Sequence, residues 1–497
     1  MFGYNKGFRH KTIGKVDQYT SYSDLFKNFF SINGFFKIIV VILCLIFVFY
    51  VGKYVINFTQ ATLGKISKGT VGLISQSIGE DMKTDEFGNI NVVFVGYGGA
   101  GHAGSYLTDS IIIASLNPKL GAVSMISIPR DLYVFSKQKK ISGRINEIFS
   151  HGISSKHQFA TGANLLIDIL EDISGLKIHY YALVDFDGFK DFIDSLGGIT
   201  IDVPKPITDN TYPTENNGYM TFHVNSGVNN FSGETALMYA RSRHSTSDFS
   251  RSLRQQQIIK AVIDKLMKKG WISNISRVKQ LYSQYTKTVN TNISLKEIIG
   301  MVKNIYSLKH IFSYGFTTEC SNINYNFSFP GCFLYTPPRE LFAGASVMIP
   351  DGGEPNDVAF YKYTQNFSFF VAHNQEYLIE NPKIFVMNGI DKNFAKQTLK
   401  KSEGFANQLA VKLRKYAFNI LNVENFTQVI SGTTIYVLGT GNYNYTIKTL
   451  KNFVNVDEVI NQVATGMIDQ FSGADLLLVL GNGYVQNMVG KGFNYYK

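Results

Sequence analysis

The segment from Phe35 to Phe58 limits every fold open to this chain. Its only strongly polar side chains are Lys37, Lys53 and Asn57, and the stretch IIVVILCLIFVFYVG is unbroken. Both lysines can snorkel, which extends the apolar run to about 20 residues, enough to cross a bilayer. Ahead of it stand Lys6, Arg9, Lys11, Lys15, Lys27 and Lys37. Flanking positive charge stays on the cytoplasmic side. The reading is one transmembrane helix over 35–58, a basic cytoplasmic N-terminus over 1–34, and a remainder outside the cytoplasm. A cleaved signal peptide fits less well, because the basic region is long and no clear small-x-small site comes after Gly52.

Beyond the apolar segment the composition is that of a globular protein. The chain has 497 residues, 45% hydrophobic and 17% charged, enough for two or three domains. The net charge of +11 suits nucleic acid, an anionic membrane surface or an anionic substrate. An extracytoplasmic bulk removes nucleic acid from that set. Of three cysteines, Cys44 falls in the span, and Cys320 and Cys332 lie in ECSNINYNFSFPGC. A disulfide is plausible outside the cytoplasm, and no His accompanies them at zinc-ligand spacing.

The pattern predicts a stalk over 59–88 and then an α/β domain over 89–380, a mixed central sheet with surrounding helices. INVVFVG reads as a buried strand, and DSIIIASL and AVSMISIP as a hairpin joined by NPKLG. ANLLIDILEDISG reads as a helix with a glycine stop, and KIHYYALVDF, DGFKDFIDSLGG and ITIDVP as strand, helix, strand. Residues 271–310 read as helical and 311–380 as irregular. A small C-terminal α/β domain over 381–497 has strands IFVMNG, TTIYVLG and ADLLLVLG. Its helices are FAKQTLKKSEGFANQLAVKLRKY and VDEVINQVATGMI.

GYGGAG, Gly96 to Gly101, matches a dinucleotide fingerprint literally, but a strand rather than a helix comes after it, so no helix N-terminus awaits a pyrophosphate. DFDG starts like a calcium loop without the later ligands, and Asp187 reads as a helix cap.

YARSRHSTSDFSRSLRQQQIIKAVIDKL carries the chemistry. Ser247 or Asp248 can cap a helix in which Arg251, Gln255, Ile258 and Val262 share one inward face. Two arginines about 6 Å apart repel by roughly 3 kcal/mol at an effective dielectric of 20. A bound diphosphate relieves this, since guanidinium forks and a helix N-terminus both suit phosphate oxygens. The bland alternative is a solvated basic face. Arg130, just past a strand end in SIPRD, Arg144 in RIN, and Arg241 and Arg243 extend the cationic set. Asp109 at a strand terminus is a candidate magnesium ligand. Each alone reads as a surface ion pair; together they suit phosphoryl transfer.

LTDSIIIASLNPKLGAVSMISIPRDLYV, RIN, DSLGGITIDVP, FSGETALMYARSRH and SDFSRSLRQQQ occur in that order. Over roughly residues 89–270 they resemble the LytR-CpsA-Psr family, and the C-terminal part is similar to a small domain that many members carry. The resemblance implies a membrane-anchored transferase that moves a glycopolymer with one phosphate from a polyprenyl-pyrophosphate carrier to a wall acceptor, usually peptidoglycan. It implies diphosphate binding by Arg130, Arg241, Arg243 and Arg251, with Gln255 beside them. Arg254, from the same arginine-rich stretch, joins them as a candidate substrate-binding residue. Arg144 stands where the family has a lysine. Asp109 is implied as a ligand of Mg2+ (or Mn2+), and Asp248 as the residue that activates the acceptor. Many members carry a second metal-binding Asp in G-x-D, where this chain reads Gly96-Tyr97-Gly98. The alternatives are a polyprenyl-pyrophosphate hydrolase and a non-enzymatic receptor for anionic lipid or wall polymer.

Overall fold

The computed structural model describes residues 82–490, apart from 103, 137, 154–157, 215–217, 243–247, 268–288, 294–296, 298–308, 319–329, 353–359, 402 and 464. No helix among the described residues is long and apolar enough to cross a membrane; the segment 35–58 lies outside them.

Chain order begins with β1 (Ile90–Tyr97), β2 (Thr108–Asn117), β3 (Ala122–Ile128), β4 (Tyr133–Ser136), β5 (Ile141–Arg144), α1 (Ile145–Gly152) and α2 (Phe159–Ser174). It continues with β6 (Tyr180–Asp185), α3 (Phe186–Ser195), β7 (Ile199–Val203), β8 (Ile207–Pro213), β9 (Tyr219–Val224), β10 (Gly227–Phe231), α4 (Gly233–Arg241) and α5 (Asp248–Met267). Then come β11 (Val289–Thr291), β12 (His310–Gly315), β13 (Leu334–Tyr335), β14 (Ile349–Pro350), α6 (Lys362–His373) and α7 (Gln375–Glu380).

Six strands form one mixed sheet in the order β11-β6-β1-β2-β3-β12. β1 runs parallel to β6, and β3 parallel to β12; β1 with β2, β2 with β3, and β6 with β11 are antiparallel. The strands are apolar on both faces because both faces are covered. On the front, Val92, Phe94 and Ile112 pack under α3, α4 and α5 with the β7–β10 strands. On the back, Val93, Val95, Ile113 and Ile126 pack under α1, α2 and α6. Asn89, Ser115, Ser124 and Gln375 are buried on that back side, where hydrogen bonds reach the carbonyls of Val371 and Ala372 in α6.

The C-terminal unit contains β15 (Ile384–Asn388), α8 (Lys392–Leu399), α9 (Phe405–Lys415), β16 (Ile420–Asn425), β17 (Thr434–Val437) and α10 (Asn444–Leu450). β18 (Glu458–Ile460), α11 (Thr465–Gln470), β19 (Leu476–Leu480) and α12 (Asn482–Gly490) complete it. Its sheet order is β16-β15-β19-β17-β18. Its apolar residues join the back-face core of the first sheet in one cluster, through Phe367, Phe370, Tyr377, Tyr416, Phe418 and Phe453.

Several expectations need correction. Residues 311–380 contain β12, α6 and α7 rather than irregular chain only. Within 271–310, expected to be helical, Val289–Thr291 is an edge strand on β6. The basic C-terminal helix is two helices, because Lys400 and Gly404 adopt φ of 54° and 84° and break the run. Glu458–Ile460, read as the start of a helix, pairs with β17. Asp185, not Asp187, caps α3, accepting the Gly188 N–H at 2.7 Å. Cys332 is buried and disulfide-bonded; Cys320 lies outside the described residues.

Candidate functional site

A cavity of about 390 Å³ opens on the front face, at the carboxyl ends of β1 and β6 and the first residues of β2. Strand ends of open α/β sheets are where ligands gather. One end of it is apolar, with Phe94 and Ile112 from the sheet, Phe189 from α3, Leu237 from α4, and Ile258 and Ile259 from α5. The other end carries Asp109, Arg130, Arg241, Arg251 and Gln255, with Asp185 and Asp209.

Each charged group has a local cause for its place. Gly96 pairs with Ser110 and Tyr97 with Thr108, so the register slips at this point and Asp109 is the extra residue of a bulge. A bulge re-aims a side chain, and Asp109 turns into the cavity, where Arg130 Nη1 meets its Oδ1 at 2.5 Å. Arg130 Nε also lies 3.6 Å from Asp131 Oδ2. Arg144 continues the chain of charges, with Nη1 at 3.8 Å from Asp131 Oδ1 and Nη2 at 2.6 Å from Glu147 Oε1. Arg144 does not line the cavity; it braces the residues that hold Arg130.

Arg241 is the last residue of α4, where the helix dipole favours a cation. Its guanidinium lies 4.4 Å from the centre of the Phe186 ring and 5.6 Å from that of Tyr212, and Nη1 donates to the Tyr212 hydroxyl at 3.2 Å. Two aromatic faces thus fix a planar fork before any ligand arrives. Arg251 is 6% exposed and lines the cavity from α5, on the inward face shared with Ile258 and Val262. Gln255 Oε1 accepts the Ser110 hydroxyl at 3.0 Å, a beam between β2 and α5.

Arg254 is placed differently from the sequence expectation. It is 4% exposed, outside the cavity lining, and donates to the carbonyls of Tyr239, at 2.9 Å, and Ser242. It caps the last turn of α4 and so fixes α4 against α5. Burial lowers its pKa, with Tyr239 and Asp209 opposing that shift. Asp209 itself is buried and accepts the Ser242 hydroxyl at 2.9 Å. Arg243 lies outside the described residues, as does the side chain of Asp248, whose backbone begins α5.

Asp185 and Asp209 escape a reading of the sequence. Asp185 has a signal, since it ends a strand in DFDG. Burial holds its carboxyl above the usual range, the Gly188 N–H opposing and Asp187 adding to the rise. Asp209 has none, because only the long-range packing of β8 brings it to α4.

Among the described residues no group of three His, Cys, Asp or Glu side chains forms a metal centre. Gly98 offers no carboxylate, and Asp109 already meets a guanidinium. One carboxylate plus diphosphate oxygens is nonetheless a normal magnesium donor set, so these residues fit the ion only together with a phosphorylated ligand. The cavity thus joins an apolar slot to an end where three arginines and three aspartates meet.

The chain is similar to known proteins. The model described as the LytR_cpsA_psr family matches residues 60–329. The polyisoprenyl-teichoic acid–peptidoglycan teichoic acid transferase TagV of Bacillus subtilis (strain 168) is 30% identical over 294 residues, covering 58% of this chain and 67% of that protein. The similarly named transferase TagU of Bacillus mycoides (strain KBAB4) is 30% identical over 200 residues, 40% of this chain and 58% of that one. The crystal structure of B. subtilis TagV overlays with a TM-score of 0.42 at 25% identity, covering 58% of this chain and 99% of that one.

Proposed function

The chain belongs to the LytR-CpsA-Psr family, and from that premise we propose that it transfers a glycopolymer with one phosphate from a polyprenyl-pyrophosphate carrier to a cell-wall acceptor. The observation that carries this is the two-ended cavity. A prenyl tail suits the end formed by Phe94, Ile112, Leu237 and Ile258, and a diphosphate suits Arg130, Arg241 and Arg251. Charge-assisted hydrogen bonds are worth roughly 1.5–3 kcal/mol each, so a few outweigh the repulsion among the arginines. Peptidoglycan is the acceptor the named relatives suggest.

In this reading Arg130, Arg241 and Arg251 hold the diphosphate, joined by Arg243. Gln255, tied to Ser110, keeps α5 at a fixed height above it. Arg130 exchanges its contact with Asp109 for one with phosphate, which frees Asp109 for Mg2+ or Mn2+. Held by Asp109 and the diphosphate oxygens, such an ion would supply neutralisation of the charge that develops on the departing phosphate. Asp248 orients the acceptor hydroxyl. The segment 35–58 holds the enzyme at the outer face of the cytoplasmic membrane, where such lipids reside.

The test is a transfer assay on detergent-solubilised full chain with a short polyprenyl-pyrophosphoryl saccharide and peptidoglycan fragments, with magnesium or chelator. Mass spectrometry tracks polyprenyl phosphate and the glycan–phosphate–acceptor adduct. The adduct should form with magnesium and vanish in Arg251→Ala. Polyprenyl phosphate without adduct would instead mark a hydrolase, and tight lipid binding without turnover a receptor.

A further inference from the structure

A second cavity, of about 230 Å³, shares a wall with the first. The common residues are Asp109, Ser110, Arg251 and Gln255. The Ser110–Gln255 hydrogen bond at 3.0 Å rises from β2 to α5 and stands between the two spaces. In sheet order the first cavity lies on β6, β1 and β2, and the second on β2, β3 and β12. Both sit at the same edge of the sheet, because β3 and β12 are parallel and the second cavity opens where they end, at Ser127–Pro129 and Gly315–Thr318. The linings differ in kind. The second cavity is lined by Ser127, Ser252, Thr317 and Thr318, with Pro129, Phe316 and Met348 beside them. A lining that is about as polar as it is apolar suits a polyhydroxylated ligand better than a lipid tail, for which the mostly apolar first cavity is the better match.

We propose that this second cavity receives the acceptor saccharide. The inference rests on the reading of the first cavity as the seat of the polyprenyl diphosphate. Displacement at phosphorus keeps the attacking and leaving oxygens roughly in line. The leaving group is polyprenyl phosphate, and its tail lies toward the apolar end of the first cavity. The attacking oxygen therefore arrives from the far side of the charged wall, where the second cavity begins. A bond forms between the acceptor oxygen and the phosphorus that bears the glycan. The bond from that phosphorus to the bridging oxygen breaks, and its electron pair stays on the bridging oxygen. The acceptor's proton ends on the released polyprenyl phosphate. The donor glycan hangs from another oxygen of the same phosphorus, off this axis, so the second cavity is not its place. Asp109 and Arg251, which face both spaces, stand beside the phosphorus under attack.

The experiment narrows the second cavity at residues that do not line the first. Thr318→Trp and, separately, Met348→Trp are made in the full chain. Donor affinity is measured with a polyprenyl-pyrophosphoryl saccharide, and acceptor KM with a disaccharide–peptide fragment of peptidoglycan. Saturation-transfer NMR reads binding of the same fragment without turnover. Each variant should raise the acceptor KM at least tenfold and weaken the NMR signal, with donor affinity within about twofold. A raised donor Kd with unmoved acceptor KM would overturn the inference and give the cavity to the donor glycan. Unmoved values for both, in correctly folded protein, would overturn it as well. A wild-type chain that binds no donor would overturn the parent reading, an outcome distinct from either of these.

Discussion

The molecule contains two sheets whose parallel strands end in opposite ways. At the ends of β1 and β6, the chain leaves space, and charged side chains fill its rim. At the ends of β15 and β19, main chain fills the space itself. A Cβ on Gly481 would stand 2.4 Å from the Gly432 carbonyl oxygen, and one on Gly389 would stand 3.1 Å from that of Leu480. The segment around residues 430–433 lies where a ligand would lie, bonded to Gly389, Asn482 and Gly483. Asp457 is spent on the Thr433 N–H at 2.7 Å. In the first unit, by contrast, a bulge at Asp109 and a helix end at Arg241 direct charge inward. Similar architecture therefore makes a site in one place and a plug in the other, and the difference lies in whether glycine lets backbone approach backbone.

The largest effect expected is on the open end. Arg241→Ala should reduce kcat/KM for transfer by about 10²–10³, in the range of losing one preorganised donor at a developing charge. Its thermal midpoint should stay within a few degrees of wild type. A midpoint collapse with normal activity per folded molecule would make Arg241 a structural group and erase the contrast.

At the closed end the effect falls on stability. Gly481→Ala forces the Gly432 backbone aside and should cost about 1–3 kcal/mol, the usual range for overpacking. Denaturant unfolding measures this, and transfer per folded molecule should not change. Loss of transfer without loss of stability would reveal a hidden site in the C-terminal unit.

A smaller effect bears on the metal at the open end. A Cβ at Gly98 meets the His102 Cβ at 3.3 Å, so Gly98→Asp fits after a small shift of the loop. It should tighten Mn2+ binding several-fold in the presence of inorganic pyrophosphate, read by electron paramagnetic resonance. Unchanged binding would show that the loop, and not only its missing carboxylate, sets the affinity.

The smallest effects are in the pH dependence, and their signs differ. Burial raises the Asp85 pKa, but hydrogen bonds from His373, Asn89 and Asn91 outweigh it and leave the carboxyl below its ordinary value. Its contribution to stability is present above that ordinary value and is lost as pH falls through the lower, folded one. Asp185 is shifted upward by burial. Between its ordinary and raised values the folded state holds the extra proton, so its contribution declines as pH rises through that window. Asp85→Asn should flatten the acid loss of stability. Asp185→Asn keeps a good helix cap and should stabilise slightly at neutral pH. Matching slopes in the two variants would contradict the assignment.

Much of the first sheet is legible in the sequence because its strands are dense in Ile and Val and its turns carry Asn-Pro or Gly. The inward face of α5 is legible too, since periodicity alone puts Arg251 with Ile258 and Val262. Periodicity cannot separate Arg251 from Arg254. The two are three residues apart, and which one faces the cavity depends on where α4 ends, a tertiary fact. The bulge at Asp109 leaves no mark in composition, because it depends on the register between two strands. Residues 362–380 do carry a signal, since Phe367, Phe370 and Val371 recur at helical spacing, but the Gly- and Pro-containing stretch before them masks it. Asp209 depends wholly on the path of β8.

The back face of the first sheet has a consequence for how the chain is made. Its polar residues reach partners far along the sequence: Asn89 to Ala372, Ser124 to Val371 and Ser115 to Gln375. Contacts of such long separation form late and slow folding. The strands of the six-stranded sheet are complete by Gly315, but α6 begins only at Lys362. In a chain emerging from its N-terminus, α1 and α2 already lie on the back face, but the part beneath α6, around Ser115 and Ser124, waits open to any passing apolar surface. Truncation at the last strand of that sheet would not yield a smaller enzyme. It would yield a sheet with part of its back face bare.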